Sequence, residues 1–199
     1  MKISFTNRLK YAGLASVIVM LIAWKLLSLY FDSAFILPSP EKTLITTLKL
    51  FTDGKFLLTV GSTILRSLTG FFLSALLGIM AGIASGMNPY FDAFLRPALV
   101  VIRSTPVIAI ILLALIWLNP GVVPVFIAFL TMFPFICTNV SDGIKSVDRD
   151  LVMMARFYRV GSDRIIRELY IPAIMPFIIS GASSAMGIGW RAIITGEVL

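Results

Sequence analysis

Apolar residues in this chain come in long runs, and polar residues are confined to short stretches between them. A helix needs about 20 predominantly apolar residues to cross a hydrocarbon core. Five runs approach that length: 11–30, 63–87, 98–118, 122–140, and from 173 to the end of the chain at 199. The first, "YAGLASVIVMLIAWKLLSLY", follows a basic start carrying Lys2, Arg8 and Lys10, as a secretory leader would. It is longer than a leader's apolar core and no small-x-small cleavage site follows it. It therefore reads as an uncleaved first span, with Lys25 snorkelling toward the outer interface.

Between the first two runs, Pro38 and Pro40 break any helix, and 43–51 is predicted to form a short surface helix. Within 63–87, Gly70, Ser74, Gly78, Gly82 and Gly86 recur every fourth residue. Small residues at that spacing make one smooth helix face that a neighbour can approach closely, either within the subunit or between subunits. The segment "NPYFDAFLRP" (88–97) reads as a short polar turn and "NPG" (119–121) as another. In the last run, Gly181, Ala185 and Gly189 repeat the interval of four.

The stretch 141–172 departs from the pattern, because charges crowd into it. Two short helices around a turn are predicted there. Ser146 is expected to cap the first, with Asp148 and Asp150 in its opening turn, and Gly161 to end it in a left-handed conformation. Ser162 is expected to cap the second, which runs until Pro172 marks entry to the last span. Met153, Met154, Phe157, Tyr158, Ile165, Ile166 and Leu169 recur at helical spacing with basic residues between them. Such a surface can lie on the membrane interface, pack beneath the bundle, or dock into a groove on a partner.

Composition narrows the class. With 58% hydrophobic and only 14% charged residues in 199, the chain cannot clothe an ordinary globular surface and reads as an integral membrane protein. There is no histidine, and the single cysteine, Cys137, lies inside an apolar run, so disulfide frameworks and the usual His- or Cys-rich metal sites are excluded. The net charge of +7 does not signal nucleic acid, because the basic residues sit mostly at the ends of apolar runs. With the N-terminus inside, the inner segments hold Lys2, Arg8, Lys10, Arg96, Lys145, Arg149, Arg156, Arg159, Arg164 and Arg167. The outer ones hold Lys42, Lys49 and Lys55. That bias places the N-terminus and 141–172 on the cytoplasmic side of a cell (inner or plasma) membrane.

No G-x-x-x-x-G-K-[ST] phosphate loop occurs, and no constellation of catalytic groups lies within the runs, so neither ATP binding nor enzyme chemistry is expected of this chain. Arg66 and Arg103 lie near expected helix ends and are predicted to snorkel. Arg191 and Glu197 lie deep in the last run with Trp190 and Thr195 nearby. They can line a polar pathway, pair across subunits or sit at an interface. A secondary transporter or channel not driven by ATP is the alternative on these grounds, although no repeated halves are evident.

Six segments then occur in a telling order: "ILPSP" (36–40), "TILRSLTGFFLSALLGIMAGIASG" (63–86), "RPALVVIRSTPVIAIILLALIW" (96–117), "SVDRDLVMMAR" (146–156), "YIPAIMPFIISG" (170–181) and "GIGWRAIITGEVL" (187–199). Together they resemble the permease subunits of binding-protein-dependent ABC importers, in the branch that handles nitrate, sulfonates and taurine. The resemblance spans 36–199. That family carries a cytoplasmic signature: Glu-Ala-Ala, three residues, Gly, nine residues, Ile-x-Leu-Pro. With its proline set on Pro172, Leu169 and Ile171 take the Ile and Leu positions, Arg159 the Gly, and Met153-Met154-Ala155 the Glu-Ala-Ala. Ala155 and Pro172 are the identities.

The resemblance implies an all-α, polytopic membrane helix bundle of the type I ABC importer permease kind, with about five of six spans present. The sixth is missing either by truncation or because the last span is absent. An N-terminal span and extracytoplasmic connection would occupy 1–62 and a permease core 63–199, with a cytoplasmic coupling segment at 141–172. Met153, Met154, Ala155, Arg156, Phe157, Arg159, Gly161, Arg164, Ile171 and Pro172 would dock on a separate ABC ATPase subunit. Arg103, Trp190, Arg191 and Glu197 would line the translocation pathway or an interface. Implied partners are that ATPase, an extracytoplasmic solute-binding protein, a second permease copy and membrane lipid, and not nucleic acid. ATP and Mg would reside on the ATPase, with no cofactor, metal or catalytic residue on this chain.

Overall fold

The structure, a computed structural model, describes residues 3–198, with side chains from 12 onward. Met1, Lys2 and Leu199, and the side chains of Arg8 and Lys10 in the basic start, lie outside the described residues. The described secondary structure is entirely helical, and the chain divides into two units, one up to Val60 and one from Gly61.

The first unit holds α1 (Ile3–Phe31) and α2 (Pro40–Leu50). The apolar part of α1, Ala12–Phe31, is long enough to cross a membrane. Helix α2 begins earlier than the predicted 43–51, because Pro40 starts a helix here. At the first helical position its missing N–H costs nothing, and the Ser39 hydroxyl caps it by accepting from the Lys42 amide at 3.4 Å. The connection folds back on α1: the Trp24 indole donates to the Pro38 carbonyl at 3.0 Å and the Ser28 hydroxyl to the Leu37 carbonyl at 3.0 Å. Lys25 therefore ends in an ion pair with Glu41 at 2.8 Å rather than snorkelling alone. Its hydrogen bond holds the Glu41 carboxyl below the ordinary carboxylate range.

Helix α3 (Gly54–Met87) extends the predicted run N-terminally, and α4 (Pro89–Ser104) replaces the polar turn expected at 88–97. The reason is local. The Asn88 side chain accepts from the amides of Tyr90 (2.9 Å) and Phe91 (3.3 Å), and Pro89 opens the helix. The expected run 98–118 is instead broken into α4 and α5 (Val107–Trp117), which bend by 96°. Pro106 disfavours helical backbone at the residue before it, and Thr105 adopts an extended conformation at φ −76°, ψ 131°. After the predicted turn at 119–121 comes α6 (Val123–Lys145).

Helix α6 is the core of this unit. Its buried positions include Ile127, Ala128, Met132, Ile136, Cys137 and Val140. The small-residue stripe of α3 faces one side of it. A Cβ on Gly82 would stand 2.7 Å from both the Cys137 carbonyl oxygen and the Val140 Cβ, so only glycine allows the backbones this close. The stripe on the last helix, α9 (Ile171–Val198), faces the other side: a Cβ on Gly181 would meet the Asn139 Cβ at 2.8 Å. Both stripes therefore pack within the subunit. Buried hydroxyls along the seams bond their own helix, as Ser67 does to the Thr63 carbonyl and Thr131 to the Ile127 carbonyl, both at 2.7 Å. Ser74 adds a bond across the seam to the Phe129 carbonyl at 3.3 Å.

Beyond α6 the chain forms α7 (Arg149–Phe157), α8 (Ser162–Ile165) and a π-helical stretch (Ile166–Tyr170) that leads into α9. Pro172 does not end a helix, contrary to expectation. Residues Ser162–Val198 form one 37-residue helix, and the π turn just before Pro172 widens the helix where proline can neither donate nor tolerate a tight turn.

Candidate functional site

The α7–α8 hairpin is built around a small core of its own. Val147, Val152 and Ile165 are buried, with Ala155, Val160, Leu169 and Tyr170 packed against them. The apolar residues of the segment thus split into two sets. Ile165 and Leu169 turn inward, while Met153 (62%), Met154 (53%), Phe157 (83%) and Tyr158 (73%) on the first arm and Ile166 (52%) on the second stay exposed. Arg156, Arg159, Gly161 and Arg164 are exposed, Ala155 is half-buried, and Ile171 and Pro172 are exposed at the entry to α9. Arg164 pairs with Glu168 and Arg167 with Asp163, each at 3.2 Å along one helix. Arg156 and Arg159 form no ion pair among the described residues.

Three expectations about how the hairpin turns are corrected. Ser146 closes α6 by donating to the Gly143 carbonyl at 2.8 Å, and the cap of α7 is Asp148, which accepts from the Asp150 amide at 2.8 Å. The left-handed residue is Arg159 at φ 55°, whereas Gly161 has φ −59°. Ser162 is the first residue of α8, preceded by Gly161, and makes no capping bond. The turn comes two residues early because the Val160 amide reaches back to the Ala155 carbonyl at 2.9 Å, closing α7 behind Arg159. Glycine adopts that conformation freely, and here an arginine holds it.

Where α4 leaves α3 and meets the end of α6, an ionic cluster forms that the sequence did not suggest. Asp92 accepts from Arg96 at 2.7 Å and Lys145 at 2.9 Å on one oxygen, and from the Ser85 hydroxyl at 2.6 Å on the other. Ser141 reaches Ser85 at 3.5 Å. The Asp92–Arg96 spacing of four was a signal for the pair, but only if 88–97 was read as helix. The cluster borders a cavity of about 300 Å³ between α4 and α6, lined also by Leu99, Val100, Arg103, Cys137, Thr138 and Asp142. Arg103 lies near a helix end as expected, exposed in the last turn of α4, and its guanidinium stands over the Phe135 ring, 4.8 Å from the centroid.

Glu197 pairs with Arg66 of α3 at 3.1 Å and also accepts from Thr63, so its partner comes from another helix and not from Arg191. Arg66, expected near a helix end, sits in the interior of α3 and uses its charge to tie α3 to the end of α9. Trp190 and Arg191 lie on an exposed side of α9. Arg191 borders a second cavity, of about 320 Å³, with Thr195, Val107 and Ile108. Of the four residues grouped from sequence, Arg103 therefore lies on the α4–α6 cavity, Trp190 and Arg191 together on an exposed side of α9 with Arg191 by α5, and Glu197 in a helix–helix tie.

Comparison with known proteins bears on what this arrangement serves. The family model for the binding-protein-dependent transport system inner membrane component matches residues 74–199. A Bacillus subtilis (strain 168) chain assigned as an aliphatic sulfonates transport permease is 30% identical over 190 residues, covering 94% of this chain and 68% of its own length. The bicarbonate transport system permease protein of Synechococcus elongatus is 29% identical over 199 residues, covering 94% and 70%. The taurine transport system permease protein of Escherichia coli (strain K12) is 23% identical over 188 residues, covering 92% and 68%.

Proposed function

This chain belongs to the binding-protein-dependent transport system inner membrane components, the permease subunits of ABC importers, and on that premise we propose that the α7–α8 hairpin couples it to a separate ATPase subunit. The observation that carries the reading is the exposed face of Met153, Met154, Phe157 and Tyr158 on a hairpin whose own core is already filled. These side chains are anchors without a pocket, and the flanking Arg156 and Arg159 suit carboxylates around a cleft. The second arm of the hairpin is the same helix as α9, so a displacement of the docked end is delivered to the bundle through one rod.

In this reading the hairpin faces the cytoplasm, which the excess of Lys and Arg in the segments assigned to that side supports. The ATPase binds ATP and Mg and hydrolyses the nucleotide, while this chain supplies the route and no catalytic group. An extracytoplasmic binding protein delivers a small solute with an anionic group, as sulfonates, bicarbonate and taurine have. Two permease copies in a lipid bilayer enclose the pathway, with Trp190 and Arg191 on the exposed side of α9 as wall or interface residues. Glu197 contributes by holding α9 to α3.

Co-purification tests the docking. Wild-type protein is expected to retain its ATPase through detergent extraction, and a variant with Arg156, Arg159 and Arg164 changed to Glu is expected to lose it while running as a monodisperse species. Equal retention by the variant, or none by wild type with any candidate ATPase from the same genome, would overturn the reading.

A further inference from the structure

Hairpin and bundle meet around a groove of about 490 Å³ that neither docking nor helix packing uses. We propose that it binds an anionic phospholipid from the leaflet on the hairpin side, with the phosphate at Arg156 and Ser162 and one acyl chain along the bundle. The proposal rests on the membrane placement of the chain and not on ATPase docking.

One wall of the groove is a single rod. Ser162, Ile166, Tyr170 and Ile174 border it at intervals of four along the helix that runs from α8 into α9, with Ile171 beside them. At 1.5 Å per residue the wall from Ser162 to Ile174 is about 18 Å long, polar at its hairpin end and apolar toward the bundle. The other wall is Ile83 and Met87 in the last two turns of α3 and Ile144 at the end of α6. Both of those helices are long and apolar enough to cross a membrane, and the rod is a third. The groove therefore lies where three candidate spans end on the hairpin side, at the edge of the hydrocarbon.

Depth, polarity and charge together select the occupant. One leaflet is half of a hydrocarbon core about 30 Å thick, so an acyl chain laid along the rod covers most of the wall and leaves its head group at the hairpin end. The floor, Ile144, Ile165 and Ile174, is buried, while Met87, Ile166 and Ile171 are exposed at the rim. An apolar floor with an open apolar rim at that depth is within reach of lipid tails. At the polar end, Arg156 forms no ion pair, and the Ser162 and Tyr170 hydroxyls no hydrogen bond, among the described residues. Arg164 and Arg167 on the same hairpin are already paired. A phosphate accepts from guanidinium and hydroxyl donors alike, and basic pockets between spans suit anionic head groups. A zwitterionic head brings a second cation to Arg156, and a neutral apolar ligand leaves Arg156 without a partner.

Native mass spectrometry of the full chain released from detergent, titrated with phosphatidylglycerol and separately with phosphatidylcholine, tests the site. Phosphatidylglycerol should bind about tenfold more tightly. A phosphatidylglycerol with a diazirine on its acyl chain should crosslink to 83–87 and 166–174. Arg156→Gln should weaken phosphatidylglycerol binding by about tenfold, with Arg156→Lys in between because it keeps the charge and loses the fork. Ile166→Trp, which fills the groove and leaves every hairpin cation in place, should weaken both lipids and carries the test if Arg156→Gln does not fold. Arg149→Gln, a hairpin cation removed outside the groove, should change nothing. Equal binding of the two lipids, crosslinks elsewhere, or binding indifferent to Arg156 and Ile166 would overturn the proposal. So would loss of self-association in Ile166→Trp, which would make the groove a contact with a second copy. ATPase capture on the same preparations keeps the docking reading apart. Phe157→Ala lies outside the groove, so it should lower capture and leave lipid binding unchanged. Capture without selective lipid binding removes the lipid site alone, and selective lipid binding without capture removes docking alone.

Discussion

The seams along α6 and the outer face of the α7–α8 hairpin are both apolar, yet they are built in opposite ways. At the seams, glycines and serines let the backbones of α3, α6 and α9 approach until Gly82 lies against the Cys137 carbonyl. On the hairpin, Phe157 and Met153 stand 83% and 62% exposed. Within lipid there is no hydrophobic drive to bring helices together, so association depends on van der Waals contact at short range and small residues are the means. At a water-facing surface, which the proposed docking assigns to the hairpin, the drive exists, and large flexible side chains left uncovered are the means of using it. Small residues therefore close the seams, and large ones are left on the hairpin's outer face.

That contrast predicts a gradient of effects. The largest belongs to the seam: Gly82→Leu drives a branched side chain into the Cys137 carbonyl and Val140, and should destabilise the bundle by about 3 kcal/mol or more. Unfolding by SDS in mixed micelles would show it, and a wild-type midpoint would mean the seam is looser than described. Next comes the inner side of the hairpin. Ile165→Ala empties a buried position and should cost about 2 kcal/mol, seen as faster amide hydrogen exchange across 149–170 with the seams still protected.

Glu197→Gln at the far end of the same rod weakens the tie to Arg66. Because the Arg66 side chain is 39% exposed, the loss should be about 1 kcal/mol in the same micelle titration. The smallest stability effect is expected at the outer face, where Phe157→Ala should fall within about 0.5 kcal/mol of wild type while lowering ATPase retention. A Phe157→Ala protein as unstable as Ile165→Ala would erase the distinction between the two faces of the hairpin.

Much of this was readable before the structure, and the misreadings share a cause. The apolar runs, the stripes at Gly70–Gly86 and Gly181–Gly189 spacing, and the charged hairpin before Pro172 are repeating or extended signals that survive errors at any one residue. The misplaced features rest on single residues. Ser146, Gly161 and Ser162 each suit the cap or turn assigned to them, but Asp148, Arg159 and Gly161 respectively occupy those positions, because the neighbouring backbone bonds decide where a helix stops. Pro172 was read as a boundary, and the π turn ahead of it lets the helix pass through.

The chain by itself determined a helical membrane protein, the approximate places of four helices long enough to span, the faces on which helices could meet closely, and the charged segment set apart from them. Periodicity and composition act over many residues, so these outcomes are local sums and can be totalled along the sequence. Only tertiary structure decided which charges meet. Glu197 found Arg66, 131 positions away, rather than its near neighbour Arg191, and Asp92 gathered Arg96 and Lys145 from two helices at once. An ion pair forms between groups a few ångströms apart in space, and no distance along the chain measures that. The division of the hairpin's apolar residues into a filled core and an open face was likewise settled by the packing of α7 against α8.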